Sequence, residues 1–410
     1  MQIATFFACL ALATPLAAQD AMLRPKQRPA VQQTADFDVW VPAFRDRALA
    51  AGIDAMTFDT AMSGVERLPD VILRDRNQSE FTKTIWEYLD TAVSDLRVAN
   101  GRRAMAKYAD VLNRIEAVYG VDKEIVAAIW GLESSFGAFR GNVSTLSALT
   151  TLAADSRRSA FFEEQLIEAL RILQSGDTRA AALRGSWAGA MGHTQFMPVS
   201  FRDHAVDFNN DGRRDLWGDD PTDALASTAA YLKANGWTTG QPWGVQVVLP
   251  EGFDYLLTGE RIEKSPDDWT ALGVRTVAGN PLPLGGLASI RVPAGYTGAA
   301  FATFANFRAI ETYNTADAYV IGVGHLADRL AGGPPIAGDW PRSDRALTYD
   351  ERVKLQERLR AAGFDPLKID AKVGPDTLDA IQRWQKANDL VPDGYANFSL
   401  IQRLRAQTRR

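Results

Sequence analysis

The 410-residue chain has one cysteine, Cys9, and only three histidines, His193, His204 and His325. A lone thiol excludes a disulfide framework, and none of the histidines forms a ligand-spaced pair for zinc. The chain has no Gly-x-Ser-x-Gly elbow and no phosphate-binding glycine loop, so the usual signatures of serine hydrolases and nucleotide enzymes are missing. Charge is modest, with 45 Lys and Arg against 50 Asp and Glu, a net −5, which argues against a nucleic-acid binder. Beyond the first residues no apolar run is long enough to span a bilayer. What is present is an ordinary globular composition, 46% hydrophobic and 23% charged. At about 150 residues per domain the length suits two or three domains.

Met1 to Ala18 carries no charge and contains the run Ile3 to Ala13, followed by small residues up to polar Gln19. This stretch reads as a cleavable secretory leader, although it lacks a basic start and a clean cleavage motif. Its removal would take Cys9 with it, and the residues before Cys9 form no lipid-attachment signal. The expectation is a soluble exported protein. Residues 19–35, rich in Pro, Gln and Arg, read as a flexible lead-in.

Helical periodicity then dominates, with Trp86, Tyr88, Leu89, Val93 and Leu96 marking one amphipathic helix and further helices expected over 120–137, 159–174 and 224–235. From Gly240 the character changes. Residues 245–249 and 288–292 are strand-like and separated by Gly and Pro, so about 240–310 reads as a small β-rich subdomain. A helix resumes near 316–330. The Gly- and Pro-rich stretch 331–338 opens a linker taken as 332–345. Beyond it, 346–410 is a three-helix unit of roughly 65 residues, near the lower size limit for folding alone. Residues 345–410 hold 13 Lys and Arg against 9 Asp and Glu, a net +4 that leaves −9 for the rest. The fold class is mainly α (α+β).

Three stretches carry chemistry. In the first, Val126, Trp130 and Glu133 share one face of an apolar helix, and Gly137 offers a stop. A carboxylate beside a Trp on such a face should have its charged form disfavoured and its pKa raised, as a general acid requires. The plain alternative is a helix-end Glu that pairs with an Arg or reaches solvent. The second stretch is Ser186 to Pro198, with Gly189, Gly192, a polar His193 and Gln195 in an apolar turn. Its glycines suit tight packing or the close approach of a polymer. The third runs from Asp207 to Asp223. Asp207, Asn209, Asp211 and Asp215 occupy calcium-loop positions 1, 3, 5 and 9, Gly212 position 6 and Arg213 the backbone-carbonyl position 7. Position 12 is Gly218 instead of Glu, so a later Asp must close a lengthened loop. A structural cation is favoured over a cluster of solvated turns.

Glu133-Ser134-Ser135-Phe136-Gly137, the Ser186 to Pro198 motif and Ala205-Val206-Asp207-Phe208 with Asp211-Gly212 occur in this order. Together they resemble the bacterial membrane-bound lytic transglycosylase B family over roughly 37–330. The resemblance implies a lysozyme-like catalytic domain, taken as 36–331. It also implies cleavage of the β-1,4 bond between N-acetylmuramic acid and N-acetylglucosamine in peptidoglycan, with a 1,6-anhydro product. It places the single catalytic acid on Glu133, which protonates the glycosidic oxygen and then takes the proton of the muramic C6 hydroxyl. It lines the sugar groove with Tyr88, Ser186, Gln195, Tyr231, Tyr313, Asn314 and Tyr319. It gives Asp223 as the carboxylate closing a structural Ca2+ site, and it needs no cofactor for catalysis. The lipid anchor in the family's name has no lipid-bearing cysteine here. Residues 346–410 resemble the small peptidoglycan-binding module of wall hydrolases, with Asp370-Ala371 where Asp-Gly is usual. The implied setting is periplasmic, on glycan strands and near cell-wall synthesis proteins. Two other readings stay open: a muramidase that adds water across the same bond, and a non-catalytic peptidoglycan scaffold.

Overall fold

The computed structural model describes residues 37–76, 83–155 and 158–407, so the expected leader and lead-in lie outside the described residues. Two helical clusters make up the bulk of the core. One gathers Ile115, Ile125, Ile129, Trp130, Leu225, Val320 and Val323, and the other Phe44, Phe58, Leu149, Phe162, Leu166 and Phe201. Tyr231 and Tyr313 pack against both clusters, so these two tyrosines mark the seam between them. Lys123–Ser134 is buried nearly all round, including Ile125, Val126, Ile129 and Trp130, which marks it as a core helix. Each large side chain it buries contributes roughly 1.5–3 kcal/mol. That burial makes it a firm base for the carboxylate near its end.

Two short strands, β1 (Val143–Ser144) and β2 (Arg184–Gly185), pair antiparallel and bring the chain after the Glu133 helix against the chain before Ser186. The β-rich subdomain is a four-stranded antiparallel sheet of β3 (Gly244–Val248), β4 (Arg275–Thr276), β5 (Ser289–Arg291) and β6 (Ala300–Thr303) in the order β4-β3-β6-β5. It has its own core around Val247, Trp269, Ile290, Ala302 and Phe304. Strand β6 was not anticipated. All four of its residues are buried, so it lacks the alternation of a half-exposed strand, yet it bridges β3 and β5.

The single helix expected around Trp86 to Leu96 is two helices, Ile85–Ala92 and Asp95–Lys107. Ser94 separates them by accepting the Arg97 N–H as an N-cap, and Leu96 is left 71% exposed. The C-terminal unit forms helices Tyr349–Ala361, Pro375–Ala387 and Phe398–Gln407 around Leu355, Leu359, Ile381, Trp384 and Leu404. The intervening linker is strapped down. Gln246 exchanges two hydrogen bonds with Ala337, Trp340 lies 6.3 Å from Trp86, and Arg342 pairs with Asp90. Among the described residues no helix is long and apolar enough to cross a membrane.

Candidate active site

Glu133 is the penultimate residue of the Lys123–Ser134 helix, half-buried, and its Oε1 accepts a 2.6 Å hydrogen bond from the Tyr319 hydroxyl. Tyr319 sits in the first turn and a half of helix Asp317–Leu330, which packs along the Glu133 helix. Burial first, and then the neighbouring Glu133 charge, push the Tyr319 phenol well above its ordinary pKa, so it stays a donor. Tyr88 reaches the same helix one turn later. A Cβ on Gly322 would stand 2.9 Å from the Tyr88 ring, so the glycine permits that approach.

The Trp130 ring packs edge-on against Tyr108, Phe136 and His193, and Tyr319 is a hydrogen-bond partner of Glu133. Gly137 is not the helix stop. The helix ends at Ser134 because Ser135 and Phe136 both turn left-handed, at φ 51° and 60°, and their N–H groups return to Gly131 and Trp130. Left-handed backbone at a bulky Phe is costly and is found where a site requires it. Gly137 serves another purpose, since a Cβ there would lie 2.6 Å from the His193 ring.

The loop after β2 is tied to this helix end. Ser134 Oγ donates to the His193 carbonyl at 2.5 Å, and the Trp130 indole N–H donates to His193 Nδ1 at 3.1 Å. Gln195, at φ 53°, donates from its amide to the carbonyls of Arg140 (3.0 Å) and Gly192 (2.8 Å). The Ser186 hydroxyl accepts from Ala188 and Ala190 N–H and so closes its own turn. Tyr313 donates to the Thr194 carbonyl at 2.6 Å, and its ring lies 5.0 Å from that of Tyr231, which donates to Thr312. Asn314 is exposed and accepts the Ala316 N–H, shaping the entry to the Tyr319 helix. Glu133, Tyr319, Tyr88, Tyr313, Tyr231 and Gln195 are therefore linked through a short chain of contacts. Ser186 and Asn314 stand at the turns that lead into it.

Two residues beyond the expected set hold this arrangement. His193 is 3% exposed, and Arg140 reaches the carbonyls of Trp217 and Gly218 and the Asp219 carboxylate. Burial first, and Arg140 beside it, keep the His193 imidazole below its ordinary pKa against the pull of Gly218, Asp215 and Asp219. The sequence offered no pointer to this contact except a glycine at each end, Gly137 and Gly192.

The 207–223 loop folds as a nest of turns. Asp207 accepts N–H groups of Asp211 and Gly212, Asn209 that of Asp211, and Asp211 that of Arg213. Asp215 accepts from Trp217 and Gly218, and Asp223 accepts from Phe208, Asn209 and Asp215. Among the described residues no group of three or more His, Cys, Asp or Glu is disposed to hold a metal. The donor set nonetheless suits a hard cation, being all oxygen. Asp223 is 1% exposed, and burial reinforced by Asp207 holds its carboxyl above the ordinary range despite three N–H donors. A cation would relieve that strain.

Residues 36–328 match the transglycosylase SLT domain family, and residues 348–404 match a family of small peptidoglycan-binding domains. The chain is 36% identical over 217 residues to membrane-bound lytic murein transglycosylase B of Escherichia coli, and the match spans 60% of that relative's length. SltB3 from Pseudomonas aeruginosa, solved with NAG-anhNAM-pentapeptide, superposes with a TM-score of 0.88 at 48% identity, over 90% of this chain and 99% of that one. The Escherichia coli lytic transglycosylase Slt35 in complex with calcium gives a TM-score of 0.61 at 32% identity, over 71% of this chain and 92% of that one. With the SLT match covering most of the chain and a 48% identical lytic transglycosylase structure superposing on 90% of it, the protein belongs to the transglycosylase SLT-domain family.

Proposed function

We propose that the chain cleaves the β-1,4 bond between N-acetylmuramic acid and N-acetylglucosamine in peptidoglycan and closes a 1,6-anhydro ring on the muramic residue. The observation that carries this reading is the Glu133 carboxyl held by the Tyr319 hydroxyl at 2.6 Å near the end of a buried helix. The anhydro-muramic ligand of the SltB3 relative supports the choice of product. In the first step Glu133 gives its proton to the glycosidic oxygen as the bond to C1 breaks. The N-acetyl group of the muramic residue stabilises the positive charge at C1. Glu133, now a carboxylate, takes the proton from the C6 hydroxyl while that oxygen bonds to C1, which restores the acid and consumes no water. Tyr319 donates to one carboxyl oxygen throughout and fixes its direction. Tyr88, Tyr231, Tyr313, Asn314, Ser186 and Gln195 are assigned to the sugar groove, where aromatic faces stack and polar tips bond.

In this reading residues 1–18 are a leader that delivers the enzyme to the periplasm, and 19–35 are a lead-in. Residues 36–331 cleave, 332–345 connect, and 346–410 bring the enzyme to the wall. Glycan strands are the partner it requires, and cell-wall synthesis proteins are the further partners this setting offers. Asp207, Asn209, Asp211, the Arg213 carbonyl, Asp215 and Asp223 would hold Ca2+, whose charge would offset the crowded carboxylates and stiffen the loop. Chelation is expected to lower the melting temperature and calcium to restore it. An unchanged melt would reduce the loop to its turns. Activity is tested by incubating purified sacculi with wild type and with Glu133→Gln. Wild type should release anhydro-muropeptides and the variant none.

A further inference from the structure

Two hydrogen bonds to one residue straddle Glu133. Trp130, three positions before it, donates its indole N–H to His193 Nδ1 at 3.1 Å. Ser134, immediately after it, donates to the His193 carbonyl at 2.5 Å. An indole nitrogen can only donate, so Nδ1 is the acceptor and the ring proton sits on Nε2. That proton points at the Gly218 carbonyl, 2.8 Å away, in the acidic loop. The His193 N–H donates to Leu216 of the same loop at 2.9 Å. His193 thereby joins the acid-bearing helix, the glutamine loop and the acidic loop. The helix ends in the left-handed turn at Ser135 and Phe136, and this junction ties that capped end to the two loops.

We infer that His193 is a positioning residue, which holds Glu133 at the angle its proton transfers need by bonding Trp130 on one side and Ser134 on the other. It acts through the helix and touches no substrate atom. The inference rests on Glu133 being the acid. A Glu133→Gln enzyme that keeps its activity defeats that reading. An inactive Glu133→Gln beside unimpaired His193 variants defeats this inference alone.

The test is a double-mutant cycle on the full-length enzyme with soluble glycan strands as substrate, after circular dichroism has shown each variant folded. His193→Ala is expected to lower kcat about 10- to 100-fold, the scale of a sub-ångström to ångström misplacement of a catalytic group, with KM nearly unchanged. His193→Asn keeps an acceptor near the Nδ1 position and should recover most of the loss. Trp130→Phe removes the indole N–H, keeps an aromatic ring and should lower kcat several-fold. Adding it to His193→Ala should cost nothing more, because the shared bond is already gone. Wild-type kcat in a folded His193→Ala, a loss confined to KM, or losses that multiply in the double variant would each overturn the inference. If His193→Ala does not fold, Trp130→Phe decides, and a wild-type kcat in that variant overturns it.

Discussion

At the end of the Glu133 helix, Trp130 and His193 meet out of water; beneath the C-terminal unit, Arg261 meets Asp376 partly in it. The buried junction uses a neutral imidazole whose two ring nitrogens both have partners. The seam below the C-terminal unit combines the Arg261 pair with two bonds from Gln382 to Tyr255 and Thr258, and with the Asp393 carboxylate accepting the Tyr296 N–H. A fully partnered buried network permits one geometry, because any unmade bond leaves a polar group dry. An exposed ion pair is weak and screened by salt. The helix end is thus held by a buried network, and the C-terminal unit by contacts that include an exposed ion pair.

The sharpest way to break this comparison is a pair of substitutions followed by calorimetry. His193→Ala leaves the buried Trp130 N–H without its acceptor and is expected to destabilise the main transition by about 1–3 kcal/mol. Asp393→Ala also removes bonds to Gln385 and Tyr395 and should cost the C-terminal unit about 1–3 kcal/mol, with the main transition unmoved. Equal effects of both substitutions on the main transition would erase the contrast. Proton linkage separates the regions further. His193 has a folded pKa below its unfolded value, so the unfolded chain binds the extra proton. Its contribution is complete above about pH 6.5 and is lost as pH falls below that. Glu351, bonded to Arg345 and to the Thr348 cap, is lowered to about 2, so its contribution holds down to about pH 4.3 and fades from there toward 2. On acidification the main transition should weaken first. Loss of the C-terminal unit first would contradict the assignment.

Much of the plan was legible because motif order and helical periodicity are local properties. Glu133 near the end of an apolar helix and the three C-terminal helices follow from short spacings, and the Tyr313-Asn314 pair before Tyr319 came from the family resemblance. Contacts between distant segments were not legible. The junction of Trp130 with His193, 63 residues apart, leaves no periodic trace. Strand β6 was hidden by burial on both faces, and the break at Ser94 was masked by apolar residues that kept helical phase across it.

One local departure did carry structural information. Ala371, where the related modules have Gly, is held at φ 64° with its N–H on Gln356. An Ala in that region costs about 1–2 kcal/mol, partly offset by the greater chain entropy of Gly when unfolded. Ala371→Gly should therefore stabilise the C-terminal unit by about 0.5 kcal/mol, the smallest effect expected here. A lowered melting temperature would count against the strain.

The most direct measurement is mass spectrometry of the muropeptides that wild type and Glu133→Gln release from sacculi. The account predicts wild-type products that all end in anhydro-muramic acid, lighter by one water than reducing ends, and no products from Glu133→Gln. Reducing ends from wild type, or anhydro products from the variant, would contradict a single acid that serves first as donor and then as acceptor.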